Sequence, residues 1–455
     1  MAELMRDSTV DDVLQHALEL AGSHQAEAMY VGRDAALTRF AGSRIHQNVT
    51  ESDATLRLRV VDGGRTGVAS TNRLDEEGLR EVAERAVAMS AQARANPDGA
   101  ALPGADLGGV DTDRGFSSAT AAASPAQRAE GVRAVIAAGE EAVLDASGAF
   151  STETATLAVA NSEGLHSRQR TTQAKLLTVM TGPDGASGYA QSTSSEIGGI
   201  DPAAVGREAA DKAVRSAEAT DLPAGTYTVI LEEYAVATVI EYLSFSGFSA
   251  LAVAEGRSFM ELGSRVMGDN VSIWDDGADG SGIPSAIDYE GVTKQRVDLV
   301  TDGVATGLVH DSATARKEGV AHTGHGLPRP NTFGPLAWNL FMAPGASSKS
   351  DMLAGISRGV WVTRFHYVNI VQPRQAVLTG MTKDGTFLIE NGQLVRPVRN
   401  LRFTQAIPEA FSHITAISSE TRLVAAEYSG ISARVPAVRI DGFTFTGATA
   451  AETGD

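Results

Sequence analysis

The stretch AVLTGMTKDGTFLIENGQLVRPVRNLRFT, from Ala376 to Thr404, decides the fold class, because apolar and polar residues alternate through most of it. Two turn-forming pairs, Asp384-Gly385 and Asn391-Gly392, bracket the short run TFLIE. Such pairs between alternating runs are typical of hairpins. We therefore predict an antiparallel meander here, with one turn at each pair.

Similar strand-like runs surround this stretch and predict a β-rich C-terminal domain over residues 225–455. They are TYTVILE, VSIWDD, QRVDLVTDGVATGLVH, GVWVTRFHYVNIV and AVRIDGFTF. One helix, VATVIEYLSFSGF, lies near the start of this domain. The breaker cluster Leu222-Pro223-Ala224-Gly225 marks its boundary with the preceding residues.

Residues 1–218 predict an α/β domain with a repeated order of elements. A helix over residues 9–22, capped by Thr9, precedes two strand-like runs and a helix over residues 74–95. A helix after Ser124, three strand-like runs and a helix after Asp201 follow the same order. We infer an internal duplication of a helix–sheet–helix unit; the alternative is the rough self-similarity of any α/β chain. The Gly-, Asp- and Pro-rich residues 98–118 are interpreted as a linker or surface loop.

Composition excludes several classes of protein. The 455 residues include no cysteine, which excludes disulfides, a thiolate nucleophile and every zinc site with a cysteine ligand. The net charge of −18 disfavours nucleic acid and anionic lipid as partners. No stretch is long and apolar enough to span a bilayer, and the acidic start lacks a secretory signal. We expect a cytoplasmic protein.

Generic catalytic motifs are missing from the sequence, and the histidines are scattered. The closest pair, His322 and His325, lies in the loop-like run GVAHTGHGLPRPN. A metal site there would need a third ligand, for which His310, Asp311 or His366 are conceivable. The alternative is that these are loop histidines bonded to backbone groups.

A second candidate surface is the strand-like run VTRFHYVNIV, residues 362–371. Strict alternation would place His366 on the same face as Arg364, opposite Phe365 and Tyr367. A histidine and an arginine on one face could bind a peptide carboxylate or carbonyl. The alternative is an ordinary exposed strand face.

Several ordered runs resemble the TldD/PmbA family of metallopeptidases. They are IEYLSFSGF, EGRSFMELGSRV, IWDDG, AIDYEGVTKQRVDLVTDGVATGLVHDSATARKEG, HTGHGLPRPNTFG, LFMAPG and FLIENGQLVRPVRNLRFT. The resemblance is strong from about residue 225 onward and implies an N-terminal α/β domain followed by a curved, barrel-like β domain. It also implies a heterodimer of a TldD-like and a TldE-like chain. In the TldD-like chain, a His-Glu-x-x-x-His helix and a downstream cysteine hold zinc, and the glutamate is the general base.

This sequence departs from the metal-binding pattern. The corresponding helix reads Ile240-Glu241-Tyr242-Leu243-Ser244-Phe245, with apolar residues at both histidine positions. Only Glu241 remains of the motif, and the chain has no cysteine. The runs IEYLSFSGF and EGRSF resemble the TldE (PmbA) branch. The resemblance therefore implies no catalytic residue, metal or other cofactor in this chain, with zinc in a TldD-like partner carrying His-Glu-x-x-x-His.

The expected function is that of a non-catalytic, substrate-shaping subunit of a heterodimeric metallopeptidase that matures or degrades unstructured peptides. Whether this chain is itself an enzyme is left open. Alternatives are a self-sufficient metal-dependent hydrolase using His322, His325 and His366, and a peptide-binding scaffold without peptidase activity. The candidate substrate-binding residues lie on the predicted strand and on the glycine-rich loop; they are Arg364, His366, Tyr367, Asn369, His322, His325 and Arg329.

Overall fold

A computed structural model describes residues 7–96, 102–426 and 429–448, and its strands form two sheets. The seven-stranded sheet lies within residues 25–194, and the eleven-stranded sheet lies within residues 225–448. The mixed α/β class with a β-rich C-terminal part is thus confirmed. The division into domains of residues 1–218 and 225–455 falls between the two sheets and stays a prediction.

The first sheet has helices on one face. Its strands are β1 (Gln25–Ala41), β2 (Arg44–Asp62), β3 (Arg65–Thr71), β4 (Asp111–Gly115), β5 (Asp145–Asn161), β6 (His166–Thr181) and β7 (Ser187–Ser194). The accompanying helices are α1 (Asp7–Leu20), α2 (Glu76–Gln92), α3 (Ser118–Ala121), α4 (Pro125–Glu141) and α5 (Pro202–Arg215). The strand order is β3-β2-β1-β5-β6, and both β4 and β7 pair with β6. Two apolar cores lie between this sheet and its helices.

The predicted repeat is visible in the order of elements. A helix, three antiparallel strands and a helix occur as α1-β1-β2-β3-α2 and again as α4-β5-β6-β7-α5. The first strands of the two units, β1 and β5, pair antiparallel and join the units into one sheet.

Two expectations in this region were wrong. α1 begins at Asp7, so Thr9 lies inside the helix and does not cap it. The supposed linker over residues 98–118 contains β4, which pairs parallel with β6. The run DTDRG has no apolar alternation, so only its distant partner makes it a strand. Residues 97–101 lie outside the described part of the chain.

The second sheet contains a closed circuit of strand pairings. Its strands are β8 (Gly225–Leu231), β9 (Ile273–Asp275), β10 (Val297–Thr301), β11 (Val304–Ala305), β12 (Asn339–Met342), β13 (Arg358–Gln372), β14 (Val377–Glu390), β15 (Gln393–Pro397), β16 (Leu401–Ala406), β17 (Ile414–Ala425) and β18 (Ser432–Ala448). Its helices are α6 (Glu233–Ser246), α7 (Ala250–Ala254), α8 (Ser312–Glu318), α9 (Lys349–Ala354) and α10 (Ile407–Ser412). Pairings run from β8 through β13, β14, β16 and β18 and back to β8. Among the described residues, no helix has both the length and the apolar character needed to cross a membrane.

The meander prediction holds at one turn and was wrong at the other. Asn391-Gly392 joins β14 to β15, as expected. Asp384-Gly385 instead lies inside β14, where both residues have positive φ and the ladder to β13 shifts register. The same dipeptide chemistry that favours a hairpin turn also suits a β-bulge, and here the strand continues.

Candidate functional site

A buried ion pair holds the start of α6 against the first sheet's last helix. Lys212 of α5 donates a hydrogen bond of 2.7 Å to Oε2 of Glu232, the residue before α6. Trp361 of β13 donates its indole N–H to the other oxygen at 2.6 Å. Burial alone would raise the pKa of Glu232, but the Lys212 charge and hydrogen bond outweigh it and hold the pKa below its ordinary value.

The α6 positions that resemble a metal-binding motif do not fit a zinc ion. Ile240 has no exposed surface and belongs to the main apolar core. Phe245 packs edge-on against Tyr242 and Phe333, with ring centroids 6.2 and 5.9 Å apart. Neither side chain carries a nitrogen, oxygen or sulfur atom that could coordinate zinc. Of the three motif positions, only Glu241 carries such an atom.

Glu241 lines a cavity of about 350 Å³, which we call the α6 cavity. Its walls come from α6, β7, β13 and the ends of β17 and β18. All four β13 residues predicted to bind substrate line it, namely Arg364, His366, Tyr367 and Asn369. The structure thus brings this half of the predicted set to one place, beside the altered motif.

The alternation predicted along β13 holds from Arg364 to His366 and was wrong at Tyr367, where the strand contains a bulge. Pairing with β14 passes from His366 opposite Met381 to Asn369 opposite Thr379, and Tyr367 adopts a positive φ of 49°. Bulges redirect side chains, and Tyr367 is 74% exposed although it borders the cavity. Tyr242 of α6 donates a 2.5 Å hydrogen bond to the carbonyl of Val368 and so ties the bulge to the helix.

Arg364 already forms an ion pair with Asp384. Its Nε donates to Oδ2 of Asp384 at 2.7 Å, and its guanidinium lies 4.2 Å from the centre of the Tyr189 ring. Ser187 of β7 donates to the other Asp384 oxygen at 2.7 Å. Binding of a peptide carboxylate by Arg364 stays a prediction, and any such ligand would compete with Asp384.

The other half of the predicted set lies elsewhere. His322 and His325 are buried in the loop that follows α8, and neither they nor Arg329 lines the α6 cavity. His325 Nε2 lies 2.9 Å from an Asp275 oxygen, which Lys294 also contacts at 2.9 Å. Burial, aided by the Lys294 charge, lowers the pKa of His325 to about 4, so the ring is neutral at physiological pH.

His322 belongs to a cluster of buried charges. The amide of Gly324 donates to His322 Nδ1 at 2.8 Å, so the neutral ring carries its proton on Nε2 and donates to Glu290 Oε2 at 3.0 Å. Arg329 contacts Glu290 Oε1 at 3.2 Å and Asp311 at 2.9 Å.

Among the described residues, this cluster holds the one group of side chains whose ligand atoms lie close enough together to hold a metal ion. One ligand atom each from Asp288, Glu290 and His322 can be chosen so that all lie within 4.8 Å of one another. Asp288 accepts backbone amides through both oxygens, including that of Gly326 at 2.6 Å. With His322 and Glu290 bonded to each other, a metal would have to break existing hydrogen bonds.

The cluster also connects the two sheets. Arg59 of β2 lies 3.6 Å from Glu27 of β1 and 3.9 Å from Glu290. Burial raises the pKa of Glu27 to about 7 and that of Asp288 to about 6. Burial also acts on Glu290, but the His322 hydrogen bond and the Arg329 charge hold its pKa below its ordinary range.

Several cavity residues escaped sequence reasoning because they come from distant elements. Tyr189 and Gln191 belong to β7 of the first sheet, and nothing local links them to α6. Tyr234 precedes Glu241 by seven residues, a spacing that places both on one helix face and could have identified it. Its hydroxyl accepts a hydrogen bond from Arg422 at 2.7 Å.

Comparisons with known proteins agree with the architecture. Residues 26–90, 121–217 and 224–447 match the models for PmbA/TldA metallopeptidase domain 1, central domain and C-terminal domain. The chain is 26% identical over 385 residues to a metalloprotease of Methanothermobacter thermautotrophicus, covering 81% of this chain and 82% of that one. It is 23% identical over 450 residues to a metalloprotease PmbA homologue of Haemophilus influenzae, covering 91% and 92% of the two chains.

A solved structure shares the fold over nearly the full length. The crystal structure of TldE from Thermococcus kodakarensis superposes with a TM-score of 0.86, covering 96% of this chain and all of that one. The two sequences are 18% identical, so this likeness shows the fold alone.

Proposed function

The chain belongs to the PmbA/TldD family of metallopeptidases, and we propose that it is a non-catalytic, substrate-shaping subunit of a heterodimeric enzyme. In this proposal a TldD-like partner carries the His-Glu-x-x-x-His helix and the zinc. The substrate is an unstructured peptide, which the pair matures or degrades.

One observation carries the proposal. α6 presents Ile240 and Phe245 where the resemblance expects two histidines, and the sequence has no cysteine to supply a further ligand. A catalytic zinc site uses three protein ligands, and second-shell groups cannot replace them. Glu241 alone cannot hold zinc, so in this proposal the catalytic metal comes from another chain.

The α6 cavity is the proposed contribution of this chain. It borders the altered helix and offers polar side chains, including Gln191, Thr238, His366 and Asn369, among apolar ones. The neutral donors and acceptors in this lining match the amide groups of a peptide backbone. Extended peptides bound this way are recognised with tolerance for sequence.

The buried location of His322 and His325 supports a structural role for the loop histidines. Their hydrogen bonds to Glu290 and Asp275 orient the loop that packs between the two sheets. We therefore propose that Arg364, His366, Tyr367 and Asn369 contact the peptide. His322, His325 and Arg329 would act indirectly, by maintaining the shape of the molecule.

Pairing tests the proposal most simply. The chain is mixed with a family member from the same organism that carries His-Glu-x-x-x-His, and hydrolysis of an unstructured fluorogenic peptide is measured. We expect activity of the pair that exceeds the sum of the separate chains. Equal hydrolysis by the partner with and without this chain would contradict a substrate-shaping role. Peptide binding without cleavage in every pairing would favour the scaffold alternative.

Because Asp288, Glu290 and His322 lie close together, we retain a second candidate function, that of an independent metal-dependent hydrolase. Its predicted ligands do not come together, since His366 lines the α6 cavity and His325 bonds Asp275. Metal-dependent peptide hydrolysis by the isolated chain that is lost in His322→Ala would establish this candidate. The same hydrolysis in His322→Ala and in the parent would exclude it.

A further inference from the structure

β2 is longer than the strand that covers its outer side. β1 pairs with β2 along nearly its whole length, but β3 pairs only with Leu56–Asp62. In the described part of the chain, no strand pairs with the outer edge of β2 from residue 44 to residue 55, which we call the open edge. Residues 44–53 are exposed throughout. Such an edge presents backbone groups to which another strand can add.

A bulge sets which side chains share a face along the open edge. The β1–β2 ladder shifts by one residue, so that His46 is extra. Because strand side chains alternate, the extra residue resets the alternation. Arg44 therefore lies on the same face as Val49 and Asp53.

This arrangement makes the open edge complementary to itself. An antiparallel copy, related by a two-fold axis through Val49, would place Val49 opposite Val49 and Gln47 opposite Glu51. With the extra His46 passed over, Arg44 falls opposite Asp53. By symmetry each unlike pair occurs twice.

The residue types agree with that pairing. Opposite charges directly across two strands are favourable, and like charges directly opposite are unfavourable. Here the sequence RIHQNVTESD carries its positive group at one end and its acids at the other. Ile45 and Val49, which are 39% and 41% exposed, add apolar surface along the same edge.

The termination of β3 leaves room for the second copy. β3 ends at Thr71, opposite Leu56. In the antiparallel register, the β1–β2 turn of the copy, at Gly42 and Ser43, reaches the end of the open edge, next to the last residue of β3. The open edge can therefore be paired over its whole length without displacing any strand of the first sheet.

We propose that two copies of this chain associate through antiparallel addition of β2 to β2, which joins their seven-stranded sheets into one. β2 contributes nothing to the lining of the α6 cavity. The inference therefore stands independently of the proposed function, and a copy-to-copy contact here leaves the cavity accessible to a catalytic chain.

Sedimentation equilibrium of the full chain over micromolar concentrations tests the proposal. We expect a dimer that Arg44→Asp weakens about tenfold or more, because like charges then meet at two symmetric positions. Combining Arg44→Asp with Asp53→Arg should restore it. Val49→Lys, which sets two ammonium groups at the axis, should remove it. Arg133→Asp, the same charge change on the exposed face of α4, is the matched control.

Three outcomes would overturn the proposal. They are a monomer at every concentration, a dimer equally strong in Arg44→Asp and in Arg133→Asp, and a failure of the double variant to recover association. Thermal melts of all variants check folding. If the open edge variants instead abolish only binding of the catalytic family member, the edge takes that chain and a second copy is ruled out as its occupant.

Discussion

The Lys212 ammonium lies 2.7 Å from Oε2 of Glu232, and this buried pair joins the last helix of the first sheet to the start of α6. Removing one member of a buried ion pair leaves an uncompensated charge, which typically costs about 3–5 kcal/mol. Lys212→Met should therefore lower the free energy of unfolding by about that amount in urea titrations. Lys317→Met, at an exposed position of α8, should change it by less than about 0.5 kcal/mol. Equal effects would show that the pair does not stabilise the fold.

The buried carboxyls at the junction of the sheets predict how stability depends on pH. The pKa of Glu27 is raised to about 7 and that of Asp288 to about 6, so the folded state binds protons more tightly than the unfolded chain. Their stabilising contribution is complete below the ordinary carboxyl pKa of about 4 and is lost as the pH rises from there through about 6 to 7. The free energy of unfolding should fall over this range.

Glu27→Gln tests this pH dependence, because it keeps the shape of the side chain without the ionisation. The variant should flatten the decline and be more stable than the parent at pH values above the pKa of Glu27. Glu420→Gln, at an exposed position of β17, is the control and should leave the profile unchanged. An unaltered slope in Glu27→Gln would contradict the assignment.

The positive φ of Tyr367 predicts how substitutions at this position change stability and activity. A left-handed backbone costs an ordinary residue about 1–2 kcal/mol but costs glycine little, and the Tyr367 side chain is largely exposed. Tyr367→Gly should be more stable than Tyr367→Ala by about 1 kcal/mol, since both lose the ring and only alanine keeps the strain. In peptide hydrolysis by the assembled pair, both variants should be impaired. Full activity in both would exclude a role for the ring.

Peptide contact within the α6 cavity is tested by His366→Ala and Arg364→Ala. Each should raise the KM of the assembled enzyme for an unstructured peptide, because each removes a polar group from the cavity wall. Arg358→Ala, on the same strand but outside the cavity, is the control. If neither cavity variant changes cleavage, the surface assigned to substrate is wrong.

The sequence predicted several elements whose signals are local. Helices α4 and α5 begin directly after Ser124 and Asp201 as expected, and Asn391-Gly392 forms its turn. β4 was missed, since its only support is a parallel pairing with the distant β6. The bulge at Asp384-Gly385 could not be told from a turn, because both require the same backbone conformations.

The candidate site divides in the same way. Arg364 and His366, from one strand, line one cavity as their spacing predicts, and the bulge at Tyr367 interrupts the expected alternation only beyond His366. The sequence could not separate His366 from His322, because the spatial relation of two segments depends on the packing of both sheets. Glu27 and Arg59, from β1 and β2, have no sequence feature that links them to Glu290.

Zinc content per chain, measured by elemental analysis of the isolated protein without a histidine tag, tests the central claim most directly. The account predicts zinc near zero, because α6 offers Ile240 and Phe245 in place of metal ligands. Zinc near one equivalent per chain, retained through dialysis and lost in His322→Ala, would contradict it and place an independent metal site at Asp288, Glu290 and His322.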